Sequence, residues 1–162
     1  MKMYVLLVMM AALLCGCGQV QTMETVDDTL VEPVMAPPRE VCVELPGEAA
    51  VPAMESDSSR FYLCRDYEIA VETRQSGDLP ATIRALTGYE PEELTVMERD
   101  MDGVKRYDFV WASAGEQGER LGRAAILDDG NYHYSLSVLR DADTTETLQV
   151  VWHQVFSSFT LA

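Results

Sequence analysis

Positive charge is scarce in this chain. Its 162 residues carry 12 Lys+Arg against 27 Asp+Glu, a formal net charge of −15 and a pI of about 4.3. Phosphate contacts need clustered Lys and Arg, so no nucleic-acid partner is expected. Charge alone would not hold the chain to anionic lipid headgroups either. Histidine is scarcer still: His133 and His153 are the full set, and neither sits in an HExxH zinc motif. There is no GxSxG nucleophile elbow and no CxxC pair. Gly115-Glu116-Gln117-Gly118, followed by Glu119, would repel a phosphate rather than cradle it. No cofactor is therefore expected. What the chain does have is 48% hydrophobic residues, ample for a packed core in one domain and incompatible with disorder throughout.

The beginning of the chain reads as an export signal. Lys2 precedes an uninterrupted apolar run, Met3 to Leu14, too short for the roughly 20 residues of a membrane-spanning helix. A positive start, a short apolar stretch and small residues describe a secretory signal. Leu14-Cys15-Gly16-Cys17 then resembles the lipobox of bacterial lipoproteins. The resemblance implies cleavage after Gly16, lipidation of Cys17, and attachment to the extracytoplasmic side of a cell membrane through acyl chains. Residues 1–16 are accordingly the signal. Residues 17–40 carry Glu24, Asp27, Asp28, Glu32, Pro33, Pro37 and Pro38 with no sustained period, and read as a flexible acidic spacer.

Residues 41–162 form the expected domain. Val41, Val43 and Leu45 alternate with Cys42 and Glu44, Phe61 to Cys64 makes a short strand, and Tyr67, Ile69 and Val71 alternate with charged or small residues. Asp78 and Pro80 open a short helix through Leu86, with Gly88 at its end. Leu94–Met101 and Val104–Ala112 flank Asp102-Gly103, a type I′ hairpin signal. Tyr107, Phe109 and Trp111 face away from Arg106 and Asp108. Leu121–Leu127 and Tyr132–Val138 follow, parted by Asp128-Asp129-Gly130. Asp143-Thr144-Thr145-Glu146 fits a capping box before a helix with Leu148, Val151, Trp152, Val155 and Phe159 on one stripe. The expectation is an α+β fold: an antiparallel meander of about six strands with one apolar face, covered by the C-terminal amphipathic helix and the short helix.

That order of elements, with the ending Val155-Phe156-Ser157-Ser158-Phe159-Thr160-Leu161, resembles the PsbP-like superfamily over Val41 to Leu161. The resemblance implies an α/β/α sandwich and a non-enzymatic role in binding or assembly.

Candidate chemistry is thin. Cys42 and Cys64 remain after processing, and export with an even count makes them a candidate disulfide. Closing that loop of about 20 residues would contribute roughly 3 kcal/mol. A metal site or a reactive thiol is the alternative. His133, beside Ser135 and Ser137, and His153, opposite the apolar stripe, read as exposed polar residues. Asp100–Gly103 and Asp128–Asn131 suggest calcium ligands, yet both coincide with turns that favour Asp and Gly for backbone reasons. The function expected is therefore that of a membrane-anchored binding or assembly lipoprotein with an envelope protein partner. An envelope hydrolase on the same scaffold is the alternative, and weak cation buffering by the acidic surface a third reading.

Overall fold

Tyr67, Ile69 and Val71 alternate with Glu68, Ala70 and Glu72, and this period of two lays them on one face of a strand, Tyr67–Gln75. In the computed structural model, which describes residues 35–115, 118–142 and 147–162, that strand is β4 of a seven-stranded sheet. The others are β2 (Met54–Glu55), β3 (Ser59–Leu63), β5 (Met97–Met101), β6 (Val104–Gly115), β7 (Gly118–Asp128) and β8 (Tyr132–Asp141). The signal segment, Cys17, the Asp143–Glu146 capping box and the side chains of Leu148 and Val151 lie outside the described residues.

The class is α+β, and every pairing is antiparallel. The order β2-β3-β4-β8-β7-β6-β5 is two meanders rather than one. The helix α1 (Leu79–Thr87) carries the chain from β4 to the far edge, so that β5 to β8 run back and β8 docks on β4. Asp102 and Gly103 close the β5–β6 hairpin with φ of 54° and 87°, as a type I′ turn requires. The β6–β7 strands run further than their sequence suggests, pairing out to Gly115 and Gly118.

Val41 to Leu45 departs from expectation. Only β1 (Val41–Cys42) is a strand, and it pairs with β9 (Thr160–Leu161) in a separate two-stranded sheet. Its neighbours bind the C-terminal helix α2 (Thr147–Ser158) instead of the main sheet. The Glu44 amide donates to Ser158 Oγ at 2.9 Å, and Gln154 Nε2 donates to the Glu44 carboxylate at 3.0 Å. Residues just before β1, placed in the spacer by composition, are also held. Tyr132 donates to the Ala36 carbonyl, and the Arg39 amide donates to the Tyr134 hydroxyl.

The sheet buries both faces, not one. On the first, Ile69, Val71, Leu136 and Val138 meet Val155, Phe156 and Phe159 from α2 and the turn after it. On the second, Tyr107, Phe109, Trp111, Ala124 and Ile126 meet Ile83 of α1. Each such aliphatic or aromatic side chain contributes about 1.5–3 kcal/mol on full burial. The 3.6-residue period of α1 aims Ile83 inward, while its first residue follows Asp78, which occupies the cap position without a side-chain cap bond. Gly88 ends the helix at φ 80°, in the left-handed region that glycine adopts without strain.

Candidate functional site

Strand alternation places Arg106, Asp108, Val110 and Ala112 of β6 on the face that α2 covers. Register brings Arg99 of β5 opposite Arg106, and Arg123 of β7 opposite Val110. Arg140 of β8 lies opposite Leu121. Four arginines thus share one side of four adjacent strands, in a chain with a large excess of acid.

Asp108 organises two of them. Arg106 donates Nε to Asp108 Oδ2 at 2.9 Å and Nη2 to Oδ1 at 3.0 Å, a bidentate fork. Arg99 Nη2 adds a third donor to Oδ2 at 2.6 Å. Arg106 and Asp108 are 5% and 2% exposed, against the expectation that this polar side of β6 faces water. Burial pushes the Asp108 carboxyl up, but the hydrogen bonds from Arg106 and Arg99 outweigh it and hold it below its ordinary value. Arg106 also donates Nη2 to the Phe156 carbonyl at 2.8 Å and Nη1 to the Phe159 carbonyl at 3.2 Å. These carbonyls lie in the last turn of α2 and just beyond it, where helical acceptors lose their partners and a cation is favoured.

The other two arginines lie under aromatic rings of α2. Arg123 is 4.3 Å from the Phe156 ring centroid, and Arg140 is 5.1 Å from that of Trp152. Phe156 and Trp152 are one helical turn apart and so share a side of α2. Burial lowers the Arg123 guanidinium below its ordinary value, opposed by Asp108. Among the described residues, no carboxylate or carbonyl accepts a hydrogen bond from Arg123.

Beside this row lies a groove of about 510 Å³, floored by Val110, Ala112 and Leu121 and flanked by Arg140 and Trp152. Trp152 Nε1 is buried, with no acceptor among the described residues. Val110 is 62% exposed, and its diagonal neighbour across β5, Met97, is 60% exposed. Neither the arginine row nor the groove was legible in the sequence. The available signal was Arg106, Arg123 and Arg140, each set among apolar residues of a strand.

The residues singled out from sequence disperse. Cys42 and Cys64 are both free thiols, so the expected disulfide is not formed. Cys42 is exposed on β1 in the small sheet, whereas Cys64 follows β3 in the large one and packs against the core. Burial raises the Cys64 thiol, which pairs with Tyr67.

His133 is buried at 2%, not exposed, because α1 roofs the second face. Its Nδ1 meets Thr82 Oγ1 at 2.9 Å, and its Nε2 meets Ser76 Oγ at 3.3 Å and Asp128 Oδ2 at 3.7 Å. Ser76, His133 and Asp128 do not make a triad, for serine and carboxylate approach the same ring nitrogen. His153 is exposed, as expected. The turn carboxylates are taken by backbone: Asp128 accepts from the Gly130 amide at 2.8 Å, and Asp129 from those of Asn131 and Tyr132 at 2.9 and 2.8 Å. Asp100 accepts from the Gly103 amide at 3.2 Å. Among the described residues, no helix is long and apolar enough to cross a membrane.

No family model and no curated protein matches the chain. The fold is similar to that of a solved protein of Bacteroides thetaiotaomicron VPI-5482, with a TM-score of 0.50 at 7% sequence identity. The match covers 75% of this chain and 45% of the Bacteroides chain, so the present chain spans less than half of that neighbour; what the two share is the fold.

Proposed function

We propose that this chain is a lipid-anchored extracytoplasmic lipoprotein whose α+β domain binds an envelope partner without transforming it. The single observation that carries the binding reading is the open apolar strip on the α2 side of the sheet. There Met97 and Val110, both more than half exposed, run into the groove floored by Ala112 and Leu121. Exposed apolar surface rimmed by charge marks interaction sites on folded domains. The anchor rests on the apolar run before Leu14-Cys15-Gly16-Cys17. The PsbP-like reading belongs to the same proposal. Supporting it are helices on both sides of an antiparallel sheet, the C-terminal helix α2 with Val155 and Phe156 in the core, and the ending through Leu161.

The test has two arms. Cells producing the full chain or its Cys17→Ala variant are labelled with a radioactive fatty acid, then cross-linked and solubilised. The full chain is expected to carry label and sediment with membranes, and the variant to do neither. A stoichiometric partner is expected with the full chain and lost with Met97→Glu. Unlabelled full chain overturns the anchor. Absence of any partner above the variant's background in repeated captures overturns the binding role.

A further inference from the structure

We infer that the groove beside α2 is a binding site for a small amphiphilic carboxylate, its aliphatic chain on Val110, Ala112 and Leu121 and its carboxylate on Arg123. The inference deepens the binding role proposed above by naming a ligand class, and it does not depend on the anchor. Three observations carry it.

The first is charge. In a chain of net charge −15, this face carries Arg99, Arg106, Arg123 and Arg140, and the one carboxylate of Asp108 is occupied by Arg99 and Arg106. Arg123 is half-buried and stacked on Phe156, with its N–H donors unmatched by any described acceptor. A guanidinium held this way is oriented and partly dry, the state in which it best rewards a carboxylate.

Shape is the second. About 510 Å³ falls within the range of small-molecule sites, and the floor is aliphatic. Register sets Arg123 directly across from Val110 on the same side of the sheet, next to one end of that floor, with its guanidinium over the Phe156 ring. The Trp152 ring walls the groove on the α2 side.

The third observation separates a small ligand from an added peptide strand. Strand addition needs the free edge of β6 beyond Asp108, where β5 ends. The Ala112 carbonyl on that edge already accepts from the Tyr89 hydroxyl at 2.7 Å. The groove floor stays open while the backbone edge is partly occupied.

The experiment uses the purified chain carrying Cys17→Ala, which removes the acyl chains a lipidated copy would offer its own groove. Tryptophan fluorescence is followed on titration with decanoate, with decanol and with inorganic phosphate, with Trp152→Phe identifying the reporting ring. Decanoate is expected to bind saturably and about tenfold or more tighter than decanol, and phosphate not to compete. Arg123→Gln is expected to abolish the preference for decanoate over decanol. Val110→Glu, at an exposed position that leaves the core intact, is expected to weaken decanoate by about tenfold through like-charge repulsion. Equal affinity for decanoate and decanol, full competition by phosphate, no saturable signal, or indifference to both variants would each overturn the site. Partner capture that survives alongside such a failure removes the ligand class and leaves the binding role standing.

Discussion

Beneath α2 the sheet buries an ion pair; beneath α1 it buries a hydrogen-bonded histidine. Arg106 and Asp108 on the first face tie the carbonyls of Phe156 and Phe159 to β6. Thr82 and Ser76 meet the two ring nitrogens of His133 on the second. The difference follows from what each covering helix lacks. The end of α2 and the turn after it present carbonyls to the sheet, which call for a cation that in turn needs a carboxylate. The roof over His133 offers a threonine hydroxyl, which can donate to or accept from a ring nitrogen.

Removing the carboxylate should break the comparison most strongly. Asp108→Asn leaves Arg106 buried without its counter-charge and is expected to cost about 3–5 kcal/mol, read by denaturant unfolding. Replacing both partners with apolar residues should recover much of the loss. The same pair sets a pH dependence. The folded Asp108 pKa lies below its ordinary 3.8, so its contribution is complete above that value. It is lost as pH falls through the lower folded pKa. The stability gap between wild type and Asp108→Asn should therefore be constant near neutrality and shrink in acid; a gap that grows in acid would contradict the assignment.

Gly122→Ala probes the second face next. Its Cβ would intrude on the Trp111 ring, which lies across Gly122 in the β6–β7 register. A rigid indole cannot give way cheaply, and a loss of about 1–3 kcal/mol with a shifted Trp111 emission is expected. Thr82→Val should cost a comparable or smaller amount, about 1–3 kcal/mol, by orphaning His133 Nδ1. The smallest effect belongs to Arg99→Gln. That side chain is 62% exposed, so its bond to Asp108 is worth up to about 1 kcal/mol and should fade with added salt.

Much of the local structure was legible. The alternation of Tyr67, Ile69 and Val71, the Asp102-Gly103 turn, and the span from Pro80 to Gly88 all carry their geometry within a few residues. So did the core placement of Tyr107, Phe109 and Trp111. The candidate site was not legible. Alternation marks Arg106, Asp108 and His133 as polar, and polarity alone assigns them to solvent. Their burial depends on segments that arrive from 50 residues or more away in sequence and cover both sides of the sheet. The separation of Cys42 from Cys64 likewise depends on β1 choosing β9, a partner at the opposite end of the domain.

By itself the sequence determined the acidic surface, the α+β class, the turns and most strand positions, because each depends on composition or on neighbours a few residues apart. The tertiary structure decided the strand order, the two buried faces, the arginine row and the groove. Those depend on which distant segments meet, and only packing α1 and α2 against opposite faces of one sheet makes a charged side chain into part of a core.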